Sequence, residues 1–339
     1  MAYLWAEVGD AMKRTNCSFA ADEQLIQQRY FAKHFPTKVG HRGRAFQLRP
    51  EHRFQGLLEP LRDSAPMLFK ELGIQWHSFI GHGRSSQACC VNFLMPFANQ
   101  PELLSRWIGH VLAISPPQML PLEREAADPF RYVAFEYTGP GDFDYLGEAE
   151  GAVPQRGAHA TAADAAVAFV GADGQRELLL IEWKYSEEYR NHRLSPDAKG
   201  KRVTRYSDKA FAPGGPIRND LGLQLADFFK EPFYQLLRQQ MLAWQIEHGS
   251  QQSGIERARV LHLSPANNEA LHHVTSTSFA VLGGKQFDDA FDAFRATLMK
   301  PDTFIERSIE QAFAPLAQWP EASWHAALSD RYPSLVPVG

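Results

Sequence analysis

A chain of 339 residues that is 44% hydrophobic can bury a substantial core, and one large domain with extensions is the expected organisation. Its net charge of −4 argues against a basic coat for indiscriminate nucleic-acid binding, and its three cysteines, Cys17 and the vicinal Cys89 and Cys90, give neither a disulfide framework nor a zinc knuckle. The start carries Glu7, Asp10, Lys13 and Arg14 where a signal peptide would be apolar, and no apolar run of about 18 residues occurs, so a soluble, cytoplasmic protein is expected.

In chain order, the first seventy or so residues alternate helix and loop, with a helix expected near Phe54 to Leu72 and a stop at Gly73. Ser85 and Ser86 are good N-cap residues for a largely buried helix through Gln87 to Met95, and Pro101 opens a second helix with Leu103, Leu104, Trp107, Ile108, Val111 and Leu112 at helical spacing. The period then changes. Arg131 to Tyr137, Asp164 to Val170 and Glu177 to Tyr185 read as strands, Glu231 to Glu247 as a helix, Arg259 to Leu263 as a fourth strand, and Asp288 to Leu298 as a helix in a mixed tail. The connections Thr138 to Ala163 and Ser186 to Ala226 are expected to be long loops, which in compact domains are usually functional or disordered. The fold class is α/β (α+β), a mixed β-sheet flanked by helices in the order α-β-β-β-α-β.

Charge is unevenly placed. Residues 33–53 hold six Lys/Arg against Glu51 alone, and residues 189–209 hold seven (Arg190, Arg193, Lys199, Lys201, Arg202, Arg205, Lys209) against Asp197 and Asp208. Either run alone reads equally well as a solvated loop.

The chemistry concentrates in one hairpin. A three-residue loop Ala172-Asp173-Gly174, with Gly174 in the left-handed conformation, pairs Gly171 with Gln175 and, counting outward, Asp164 with Glu182. Directly opposed residues share a sheet face about 4.5–5.5 Å apart, and alternation adds Lys184 to it. Two opposed carboxylates repel unless a cation lies between them. Mg2+, with Mn2+ as a substitute, suits such a pair, because it takes one or two carboxylates and fills its remaining positions with water and phosphate oxygens. The opposite reading is a buried Glu182–Lys184 ion pair with Asp164 capping a turn. Glu182-Trp-Lys184 ends an otherwise apolar strand, where charges are seldom placed without a reason. His77, His82, His272 and His273 read better as surface or packing residues than as ligands, and Cys89 and Cys90 as small hydrophobes.

Asp, a hairpin, then Glu-x-Lys resembles the signature of the PD-(D/E)xK nuclease superfamily, and the stretches SSQACCVNFLMPF, VAFEY, LLLIEWKY and FYQLLRQQMLAW resemble a bacterial branch of restriction endonucleases. Ala163 replaces the motif's proline. The resemblance implies a restriction-endonuclease-like core over 76–270 with extensions 1–75 and 271–339. It implies that Asp164, Glu182 and the backbone carbonyl of Trp183 bind metal, that Lys184 is catalytic, that Glu136 is an additional acid, and that Gln235 is the helix glutamine some members place beside the site. The expected function is metal-dependent DNA hydrolysis in restriction, defence or repair, with Arg190, Arg193, Lys201, Arg202 and Arg205 on the phosphate backbone and a homodimer or partner subunit completing the assembly. The rival expectation is an inactive nuclease-like fold that only binds nucleic acid or a partner.

Overall fold

The computed structural model describes residues 18–123, 131–141, 143–150, 152–157, 160–189, 196–249 and 253–336. Its centre is the hairpin of β3 (Ala163–Val170) and β4 (Arg176–Trp183), antiparallel with Ala165 opposite Ile181 and Val170 opposite Arg176. The turn sets that register. Gly174 has φ +81, and the Gly171 amide donates to the Gln175 carbonyl at 2.8 Å, so the three-residue loop closes as its glycine dictates. Two short strands, β1 (Gln118–Leu120) and β2 (Val133–Tyr137), lie end to end along the outer edge of β3. On the other side, β5 (Arg257–Ser264) pairs parallel with β4, and β6 (Phe304–Ser308) pairs parallel with β5. The sheet is therefore mixed, and its far edge comes from the chain beyond residue 300.

Both faces are covered, which is why Leu178, Leu179, Leu180 and Ile181 run without polar interruption. One face, with Val167, Phe169, Leu179, Ile181 and Trp183, packs on α2 (Leu61–Glu71), α3 (Ser86–Leu94) and α4 (Pro101–Leu112). The other face, with Ala166, Ala168, Leu178 and Leu180, packs on α5 (Pro196–Ala210), α6 (Phe233–His248) and α7 (Ala290–Ala296). Two late helices, α8 (Ile309–Phe313) and α9 (His325–Arg331), return to the first face. There the Trp107 indole donates to the Ala312 carbonyl at 3.1 Å. The N-terminal helix Phe19–His34 is tied in by Gln27, whose amide donates to Tyr185 Oη and to the Arg331 carbonyl.

Three expectations change. The single helix expected over 54–72 is divided into a 3-10 segment Pro50–Gly56 and the α-helix Leu61–Glu71, because Pro60 disfavours helical geometry at Glu59 and restarts the chain. The connection 186–226 is not structureless, since α5 lies within it and buries Tyr206 and Ala210. The tail supplies a strand as well as a helix. Among the described residues, no helix is long and apolar enough to cross a membrane.

Candidate active site

The β3–β4 ladder ends at Ala165 and Ile181, and Asp164 and Glu182 are the next residue on each strand. There the two strands part. The Trp183 amide donates to Asp164 Oδ2 at 2.7 Å, so a side chain takes the place of the next ladder rung. Beyond that point β4 still follows β5, since the Lys184 amide donates to the Leu263 carbonyl at 2.8 Å. Parting from β3 while staying paired with β5 opens the sheet beside Asp164, Glu182 and Lys184.

Glu182 is only 2% exposed and is held from two sides. Lys184 Nζ donates to Oε1 at 2.6 Å, and the Gln239 amide, from α6, donates to Oε2 at 2.8 Å and also to the Ala162 carbonyl at 2.8 Å. Burial opposes the charge on Lys184, but the carboxylates of Glu182, Asp164 and Glu187 outweigh it and raise its pKa well above the ordinary lysine value. Asp164 is raised well above the usual carboxylate range, first by burial and then by Glu182 and Glu136; Lys184 and the Trp183 amide pull the other way.

Glu136 lies on β2 between the rungs Phe135–Ala165 and Tyr137–Ala163, which places it across from Asp164. Its φ is +46, a conformation strained for a non-glycine residue inside a strand. The side chain is met by the Gln87 amide of α3 at 2.7 Å and by His77 Nε2 at 3.6 Å, and the Arg156 guanidinium holds the Phe135 and Glu136 carbonyls behind it. Burial raises the Glu136 pKa, with His77 and Gln87 opposing and Glu182 adding to the rise. Three carboxylates on β2, β3 and β4 thus lie within electrostatic reach of one another, Glu136 held from the α3 side and Glu182 from the α6 side, with Lys184 donating to Glu182. The Trp183 carbonyl accepts from Ser86 Oγ at 3.2 Å.

The sheet register extends this polar row to His262 beside Glu182 and to Glu306 beside His262. His262 is fully buried, and burial together with the charge of Lys184 pushes its pKa well below the usual value.

Gln235 is not the glutamine that meets the carboxylates. Its backbone N–H donates to Glu231 Oε2 at 3.2 Å, while the side chain of Gln239, one turn or about 6 Å further along α6, reaches Glu182. A sequence signal for Gln239 existed, because it and Gln240 interrupt a stripe that is otherwise apolar. Gln239→Leu, which removes a donor from a buried carboxylate, is expected to cost about 1–3 kcal/mol in a denaturant titration. Gln235→Leu should stay within about 0.5 kcal/mol. Equal losses from the two would mean that the bond to Glu182 contributes nothing.

Of the basic residues expected on phosphate, Lys201 is exposed on α5, and Arg202 and Arg205 are half-buried there. Arg190 and Arg193 lie outside the described residues. In the first basic run, Arg42, Arg44, Arg49 and Arg53 are exposed, and the run is joined to the site. Gln47 bridges His82, and the Leu48 amide donates to the Gly81 carbonyl, in the same turn that carries His77 to Glu136. His82 is pushed down to about 4 by burial and by the charges of Arg84 and Arg44.

A mixed sheet between two helical layers, opened at the end of a hairpin that carries Asp and Glu-x-Lys, is a restriction-endonuclease-like fold. The family described as "Restriction Endonuclease associating with ARP" matches residues 19–333, and the chain belongs to that family. Membership gives it a nuclease-like role. No curated protein and no solved structure matches it.

Proposed function

We propose that the chain is a metal-dependent nuclease that hydrolyses DNA phosphodiester bonds in restriction, defence or repair, with its active site at Glu136, Asp164, Glu182 and Lys184. The observation that carries this reading is the gathering of three carboxylates where β3 and β4 part, with a lysine bonded to one of them.

The donor set fits a hard divalent cation such as Mg2+ in kind. Asp164 and Glu182 offer carboxylate oxygens, the Trp183 carbonyl offers a third, and a divalent ion would offset both the burial and the repulsion by Glu182 that raise Asp164. Among the described residues no group of three His, Cys, Asp or Glu is arranged to hold a metal ion by side chains alone. An ion that keeps several waters and takes substrate phosphate oxygens does not require one. When bound, it would lower the pKa of a coordinated water and offset charge on the phosphate. The chain's own groups do the rest. Gln239 fixes one oxygen of Glu182, the Trp183 amide fixes one oxygen of Asp164, and Lys184 holds a proton-bearing donor at the opening, placed to stabilise a developing phosphate oxyanion. The basic segment 42–53 and α5 supply charge for backbone phosphates.

One observation favours a second reading. Glu182 already has Lys184 at 2.6 Å, so the pair is neutral without any metal, as it would be in a fold that only binds nucleic acid or a partner. The association in the family description makes a partner polypeptide, or a second copy of the chain, part of the proposal. Incubating the purified protein with circular and linear DNA in magnesium, manganese or chelator separates the readings. Metal-dependent cleavage is expected; metal-independent binding with no cleavage in either ion would establish the second reading.

A further inference from the structure

Two arginines lie against the ring of Tyr234. Arg202, from α5, lies 4.7 Å from the ring centroid, and Arg238, from α6, lies 4.9 Å from it. Arg202 Nη1 and Arg238 Nε are buried, and among the described residues neither atom has a hydrogen-bond acceptor. Arg238 Nη1 donates to Thr161 Oγ1 at 3.2 Å, whose hydroxyl donates to Glu148, and the charge of Arg238 is also felt by Glu231. Charged donors buried without an acceptor are costly, and here two of them lie against one aromatic ring. An anion is the missing partner.

The position narrows its identity. Arg238 precedes Gln239, which holds Glu182, and Thr161 lies three residues before Asp164. Glu231 feels the charges of both Arg238 and Lys184, so the arginines share the electrostatic surroundings of the site. Along α5, Arg205 and Lys209 follow Arg202 at helical spacing, paired with the exposed carboxylates of Glu150 and Asp208. Guanidinium forks match phosphate oxygens in geometry as well as charge. We propose that Arg202, Tyr234 and Arg238 form a phosphate subsite that grips the nucleic-acid backbone next to the phosphate held at Asp164 and Glu182. This rests on the nucleic-acid reading above and adds where the strand leaves the site.

The test is equilibrium binding of labelled single- and double-stranded oligonucleotides to the full chain in calcium, titrated with salt, so that it does not depend on cleavage. Arg202→Gln with Arg238→Gln should weaken binding roughly ten-fold or more. The log-log salt slope should fall by about 1.8 on duplex and about 1.4 on single strands, two phosphate contacts' worth. Arg257→Gln, at the far end of the sheet where Arg257 pairs with Asp173, should leave affinity and slope unchanged. The Arg202→Lys, Arg238→Lys pair should keep the slope yet lose affinity several-fold, because it keeps charge and loses the fork; it carries the test if the glutamine pair fails to fold. Wild-type affinity in both pairs would overturn the proposal, as would a loss confined to 5′-phosphorylated oligonucleotides, which would assign the subsite to a terminal phosphate. Wild-type protein that binds no oligonucleotide would overturn the nucleic-acid reading along with it, whereas binding without cleavage would leave the subsite standing and the enzyme reading refuted.

Discussion

Asp164→Asn and Glu182→Gln are each expected to reduce DNA cleavage by roughly 10³–10⁴, while Asp164→Asn leaves the metal-free protein as stable as wild type or more so. The two effects have different origins. The carboxylates would hold the divalent ion, and losing roughly 5 kcal/mol of transition-state stabilisation from that ion corresponds to about four decades in rate. In the metal-free protein, however, the Asp164 carboxylate is buried against Glu182 and Glu136, which is why its pKa is raised, and an amide of the same shape relieves that repulsion. The amide oxygen can still accept from the Trp183 amide, so the splayed ends of β3 and β4 need not move. Glu182→Gln differs, because it leaves the buried Lys184 without its close carboxylate partner and should destabilise the chain. Cleavage rates and thermal midpoints in chelator, read on the same preparations, give both halves. Variants that cleave like wild type would remove Asp164 and Glu182 from the reaction.

How much of this was legible follows from where the determining contacts lie. The hairpin could be read because its register is local: Ala172-Asp173-Gly174 and the left-handed Gly174 fix which residue of β3 meets which residue of β4 from Val170–Arg176 to Ala165–Ile181, which leaves Asp164 and Glu182 next in line on the two strands. The edge strands could not. Gln118–Leu120 and Phe304–Ser308 are short and half-exposed, and β6 is a strand only because β5 lies alongside it across some forty residues of chain. The helix α5 was hidden by charge, since Lys201, Arg202, Arg205 and Lys209 mask the stripe on which Tyr206 and Ala210 turn inward. Gln235 and Gln239 lie on nearly the same side of one helix, and only the depth at which α6 crosses the sheet decides which of them reaches Glu182.

The same geometry gives Lys184 an effect of a different kind. Lys184→Met is expected to slow cleavage by roughly 10²–10³, the usual cost of removing one donor from a developing oxyanion, while DNA binding in calcium persists. Metal affinity should hold or rise, because the cation that competes for Glu182 Oε1 is gone. Stability should respond in the opposite direction. Glu182 is 2% exposed, and without Lys184 its charge keeps only the Gln239 amide, so the metal-free variant should lose up to about 3–5 kcal/mol, the range for breaking a buried ion pair by removing one partner. Calcium should restore most of that loss, giving a larger metal-dependent rise in melting temperature than in wild type. Glu182→Gln combined with Lys184→Met removes both charges together, so its destabilisation should be smaller than the sum of the single losses by more than 1 kcal/mol. A cycle that adds without coupling would mean that the 2.6 Å contact is not a working ion pair. Equal cleavage by wild type and Lys184→Met at matched purity would count against the enzyme reading altogether, because the lysine is the cationic donor that the reading places on the developing oxyanion.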